Sequence, residues 1–142
     1  MIALDTNVLV RYALNDDAAL APLAQGLIAG NECHVSVLAL AEMGFVLASV
    51  YRATDTEIVA LVHSLLALPT LHFEHEERLP AALAGVLAGI DWFDAMLWAA
   101  NANHPLATFD REFARQAARL GWQPAVQSRL PPRVKRGSDQ RQ

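Results

Sequence analysis

Four short apolar runs, each followed by a stretch of helical periodicity, constrain this chain more than any other feature. Ile2-Ala3-Leu4, Cys33-His34-Val35, Thr70-Leu71-His72-Phe73 and Leu106-Ala107-Thr108-Phe109 read as strands. After the first, Thr6 or Asn7 can cap a helix on which Val8, Leu9 and Tyr12 recur at helical spacing. Asn15-Asp16-Asp17 then turns the chain into a second helix with Leu20, Leu23, Leu27 and Ile28, ending at Gly30-Asn31. Ser36 caps a helix from Val37 to about Tyr51 that is apolar nearly all round, with Glu42 as the one charge in its interior. Such a helix is expected to be buried on more than one side. Thr54-Asp55-Thr56-Glu57 has capping-box spacing and opens another helix, which stops before Pro69. Three more follow: Glu76 to Ala88, Asp91 to Asn101 or Asn103, and Arg111 to Leu120, stopped by Gly121. Trp122 to Val126 reads as an edge strand despite Pro124. Strands alternating with helices predict an open α/β fold with a mostly parallel sheet, and sites in such sheets lie outside the carboxyl ends of the strands.

At 142 residues the chain can close one core, but 54% hydrophobic against 18% charged residues is apolar for a soluble monomer, so part of the surplus is expected to cover a partner. The longest uncharged run, Ile58 to Phe73, spans 16 residues and is broken by His63, Pro69 and His72, short of a membrane span. The strand-like start leaves no basic region for a signal peptide, and a lone Cys33 fits a reducing cytoplasm. The net charge of −4 divides into −8 over residues 1–128 and +4 over residues 129–142. A folded domain over 1–128 and a basic, flexible tail over 129–142 with Pro131-Pro132 follow from that division. Nucleic-acid contact, if made, must be local or metal-assisted.

The acids supply the chemistry. Asp91 and Asp94 stand three residues apart at the front of an otherwise apolar helix, on one face. Asp5 and Asp110 each end an apolar strand, and Glu42 lies on the helix that follows another. Gathered at one sheet edge, these carboxylates repel and call for a counter-cation. Arg is sparse around them, so a divalent metal with all-oxygen ligands, Mg²⁺ or Mn²⁺, is the natural partner. Such an ion activates water for hydrolysis of a phosphodiester. Each acid also has an ordinary reading: Asp91 as an N-cap, Asp94 as a helix-dipole partner, Glu42 as an exposed residue, Asp5 and Asp110 as turn residues. Those readings would have to hold at every position together, and at Asp5 and Asp110 no cap or pairing obliges a carboxylate.

Leu4-Asp5-Thr6-Asn7-Val8-Leu9, Ser36-Val37-Leu38-Ala39-Leu40-Ala41-Glu42, Asp91-Trp92-Phe93-Asp94-Ala95-Met96-Leu97 and Thr108-Phe109-Asp110 resemble, in order and spacing, the motifs of PIN-domain ribonucleases. In size the chain looks most like VapC-type toxins of toxin–antitoxin pairs, over about residues 2–126. The resemblance implies a three-layer α/β/α fold with a short central sheet of 4–5 strands flanked by about seven helices. It implies a Mg²⁺-dependent endoribonuclease with Asp5, Glu42, Asp94 and Asp110 as the acidic set, Asp91 as an accessory acid, and Thr6, Asn7 and Thr108 as orienting residues. Asp5 and Asp94 would hold the metal directly, and Glu42, Asp110 and Asp91 directly or through water. Homodimers, an RNA substrate and inhibition by a small VapB-type antitoxin filling the groove are implied as well. Phe93 departs from the pattern, since the family more often has a small residue there.

Arg111, Arg115 and Arg119 recur every four residues along one face and can guide RNA phosphates, meet an acidic antitoxin segment, or form a solvated face. Arg11 can contact substrate or pair with an acid, and the tail's Arg129, Arg133, Lys135, Arg136 and Arg141 can add RNA affinity or be inert. Scattered histidines and one cysteine argue against zinc, and no glycine-rich phosphate loop or nucleophile elbow is present. Trp92 and Trp98 read as core or interface residues. A catalytically silent interaction module of the same fold is the alternative from another class. A phosphatase with Asp5 as nucleophile fits less well, because Asn7 stands where a second Asp is wanted.

Overall fold

The computed structural model describes residues 1–129, so the basic tail beyond Arg129 lies outside the described residues. In chain order the elements are β1 (Ile2–Ala3), α1 (Thr6–Leu14), α2 (Leu20–Gly30), β2 (Cys33–Val35), α3 (Val37–Ser49), α4 (Asp55–Leu66) and β3 (Leu71–Phe73). A 3-10 turn (Glu76–Arg78) leads into α5 (Leu79–Leu87), then α6 (Trp92–Ala100), β4 (Leu106–Thr108), α7 (Arg111–Arg119) and β5 (Val126–Ser128). β1, β2 and β3 pair in parallel, Ile2 opposite Cys33 and His34 opposite His72. β4 and β5 form a second parallel pair, Leu106 opposite Val126. The parallel α/β layout is the one expected, but ladder bonds divide it into sheets of three and two strands. At two residues, β1 offers few backbone groups, and its ladder goes to β2.

Local chemistry fixes most element ends. Thr54 and Glu57 close the predicted capping box at the start of α4. Asp17 accepts from Ala19 and Leu20 amides at 2.9 and 2.8 Å and so turns the chain into α2. Three details correct the sequence reading. The cap of α1 is Asp5 rather than Thr6 or Asn7. The helix expected from Glu76 begins as a 3-10 turn, and α5 starts beside Pro80, which lacks the amide a helix interior needs. The last strand lies at Val126–Ser128, beyond Trp122 and Pro124, because proline has no amide to donate to a ladder.

α3 is the packing centre. Val37, Leu40, Met43, Gly44 and Leu47 are buried among helices, whereas Leu38 and Phe45 lie on an exposed stripe with Glu42. A Cβ on Gly44 would sit 2.1 Å from the indole nitrogen of Trp92, so the missing side chain is what lets α6 close on α3. Trp92 uses that notch to donate from Nε1 to the Ala41 carbonyl at 3.1 Å. Among the described residues no helix is long and apolar enough to cross a membrane.

Candidate active site

The site is built where strands end and helices begin. Asp5 follows β1, and its Oδ1 accepts from the Thr6 amide at 2.8 Å, so the carboxylate is held at the first turn of α1. Thr6 is buried, and its Oγ1 donates to Glu42 Oε2 at 2.9 Å. One residue thereby fixes the backbone beside Asp5 and one oxygen of Glu42 on α3. Asn7, on the next step of α1, is exposed and lines an apolar groove with Val8, Arg11, Leu20, Leu23 and Leu27.

Asp91 caps α6, its Oδ2 accepting from the amides of Phe93 at 3.0 Å and Asp94 at 3.3 Å. The ordinary role considered for it is present. Asp94, half-buried in the first turn, is different: burial pushes its carboxyl above the usual range, and the charges of Asp91 and Asp110 push it further. The fold thus sets Asp91, Asp94 and Asp110 in one electrostatic neighbourhood. Asp110 caps α7 through Oδ1 to the Phe113 amide at 3.0 Å, while its own amide donates to Thr108 Oγ1 at 3.0 Å. A cap reason therefore does exist at both Asp5 and Asp110, contrary to the sequence argument, and their presence at strand ends cannot alone imply a metal.

The arginines differ from one another. Arg11 donates to Asp16 at 3.1 Å and to the Tyr51 hydroxyl, with its guanidinium 5.7 Å from that ring's centre, so it joins α1 to the end of α3. Arg115 is paired with Glu112 on its own helix. Arg119 closes α7 and contributes to holding Glu112 below the usual carboxylate range, behind the larger effect of Arg115. Arg111 opens α7, half-buried.

Sequence reasoning missed Glu74. It stands directly after β3, as Asp5 stands near the end of β1, and its Oε1 accepts from the Val37 amide at 3.1 Å. With Ser36 Oγ accepting from Ala39 at 3.0 Å, the start of α3 is held from two sides, and with it the helix that carries Glu42. An acid following a strand was the available signal; its partner lies in another element.

Every candidate ligand is a carboxylate oxygen, the donor type that Mg²⁺ and Mn²⁺ prefer, and a cation beside Asp94 would relieve the repulsion that raises its proton affinity. The acids are linked pairwise, Asp5 to Glu42 through Thr6 and Asp94 to Asp91 and Asp110 through charge. Among the described residues no three His, Cys, Asp or Glu side chains stand ready as a metal cage.

No curated protein and no solved structure matches the chain significantly. The PIN domain model matches residues 2–119, from β1 through α7, and so takes in Asp5, Glu42, Asp94 and Asp110 together. Parallel strands, helices capped by acids at the strand ends and a match over most of the length agree: the chain belongs to the PIN-domain family, whose members are in general nucleases.

Proposed function

We propose that this protein is a Mg²⁺-dependent endoribonuclease and the toxin of a toxin–antitoxin pair acting in the cytoplasm. The observation that carries the reading is Asp94, an acid whose proton affinity is raised by burial and by Asp91 and Asp110 at the entrance of an otherwise apolar helix. A repulsive acid group gathered where α6 begins and β4 ends is a poor way to stabilise a fold and a good way to hold a cation. Asp5 and Asp94 would hold the ion, with Glu42, Asp110 and Asp91 binding directly or through water; Mn²⁺ suits the same oxygens. The ion, when bound, supplies an activated water and neutralises charge on the phosphodiester. Thr6 keeps Glu42 turned toward the Asp5 end, and Thr108 fixes the backbone of Asp110. Arg111, Arg115 and Arg119 along α7 are candidates to guide the RNA backbone.

Two surfaces support the partners. Leu38 and Phe45 on α3 and Phe93 and Leu97 on α6 are 77, 53, 48 and 49% exposed, and the two phenylalanine rings lie 5.8 Å apart. Exposed apolar side chains on two adjoining helices are what a homodimer covers. The groove between α1 and α2, about 170 Å³ and almost wholly apolar, begins at Asn7 and suits an apolar antitoxin segment.

The test is cleavage of single-stranded RNA by the purified protein with Mg²⁺, with chelator, and with Asp5→Asn/Asp94→Asn. Cleavage is expected with Mg²⁺ alone and lost in the double variant, whose circular dichroism stays unchanged. Retained cleavage in the double variant would refute the site.

A further inference from the structure

Arg78 is 9% exposed, yet none of the acceptors it reaches is a carboxylate. Its Nη2 donates to the Trp98 carbonyl at 3.0 Å and its Nη1 to the carbonyls of Gln123 at 3.0 Å and Ala102 at 3.5 Å. The guanidinium carbon lies 3.8 Å from the centre of the Trp98 ring. Trp98 O and Ala102 O belong to the end of α6 and the turn after it, where the dipole is negative; Trp98 O also accepts from the Asn101 amide at 3.1 Å, so Arg78 takes its second lone pair. Gln123 O belongs to the connection from α7 to β5. One buried cation thus bridges two parts of the chain.

Trp98 repeats the bridge. Its indole donates to the Pro124 carbonyl at 3.0 Å, and its ring stacks on Trp122 with centres 4.0 Å apart and planes at 22°. Trp122 meets Phe113 of α7 edge-on at 6.5 Å and fills the notch at Gly85, where a Cβ would stand 2.3 Å from it. These links matter because β4 and β5 form a sheet of their own, separate from β1–β3. The segment β4–α7–β5 carries Asp110, and α6 carries Asp94.

We infer that Arg78 is a positioning residue: by locking the β4–α7–β5 unit onto the end of α6, it sets where Asp110 stands relative to Asp94. The importance of that distance rests on the metal site proposed above; the lock itself does not. A lysine cannot reach three carbonyls with a planar fork while stacking on an indole, so the role belongs to arginine.

The experiment compares hydrogen exchange and Mg²⁺ titration calorimetry in the full-length chain, wild type against Arg78→Met and Arg78→Lys, with Asp110→Asn as reference. In Arg78→Met, protection across residues 106–128 should fall by about tenfold or more through loss of charge-assisted bonds, while β1–β3 and α1–α4 keep theirs. Its Mg²⁺ affinity should fall as far as that of Asp110→Asn, with Arg78→Lys between. If Arg78→Met fails to fold, Trp98→Phe, which loses the Pro124 bond and keeps an aromatic ring, must show the same local loss. Protection unchanged in residues 106–128, or lowered equally throughout, overturns the lock. Absence of Mg²⁺ binding by the wild type defeats the functional reading instead and leaves the exchange data to decide the lock.

Discussion

Replacing Gly44 with alanine tests how the two acid-bearing helices are held together. The new Cβ would lie 2.1 Å from Trp92 Nε1 and 2.2 Å from Cε2, both parts of a buried ring that also bonds to Ala41. Ordinary contacts need about 3.5 Å, so the indole must retreat by roughly 1.5 Å. Overpacking of this kind costs about 1–3 kcal/mol. Loss of the Ala41 bond leaves a buried N–H without a partner, about 1–3 kcal/mol more. The better helix propensity of alanine returns about 1 kcal/mol. The net loss is about 1–5 kcal/mol, and at roughly 4 °C per kcal/mol for a domain of this size Tm should drop by roughly 4–20 °C. Gly26→Ala is the control: nothing lies within 4 Å of its added Cβ in the middle of α2, and stability should rise by about 0.5–1 kcal/mol. Urea unfolding with an unchanged m-value measures both. A Gly44→Ala protein within about 0.5 kcal/mol of wild type would refute the notch as the determinant of the α3–α6 approach.

Other consequences follow from the acids and the exposed stripe. Asp94 holds its proton to higher pH in the folded chain than in the unfolded one, so its ionisation weakens the fold as pH rises through the folded value and remains unfavourable above it. Metal-free Asp94→Asn should therefore melt above wild type at pH 7, the difference vanishing below the unfolded-chain value; a wild type that melts higher at pH 7 contradicts this. Asp110→Ala should lose about 1 kcal/mol through the α7 cap, whereas Asp110→Asn keeps the cap and loses only the charge, separating fold from function in thermal melts and Mg²⁺ titrations. If the proposed homodimer forms through this face, Leu38→Lys combined with Leu97→Lys should leave a monomer in sedimentation analysis, and an unchanged mass would remove this face from the interface.

Much of the fold was legible because each element carries its own punctuation. Thr54 and Glu57 cap α4, Asp17 turns into α2, and Gly121 follows α7, all within a few residues of the structure they set. The four strands named from apolar runs are present, each trimmed by a residue or kept at its ends. What was not legible depends on distance along the chain. Glu74 reads as one acid among several until Val37 arrives beside it, 37 residues away in sequence. Arg78 in Glu-Glu-Arg looks like a solvated residue, and it is buried only because Trp98 and Gln123 converge on it. Asp5 and Asp110 read as site acids from the sequence, but their second role as caps depends on where α1 and α7 begin.

Whether Asp94 and its neighbours hold a divalent cation, as proposed, is decided by calorimetric titration of Mg²⁺ into the metal-free protein. Saturable binding by the wild type, lost in Asp94→Asn and weakened in Asp110→Asn at unchanged fold, is the predicted result. Binding of equal strength in wild type and Asp94→Asn would contradict it.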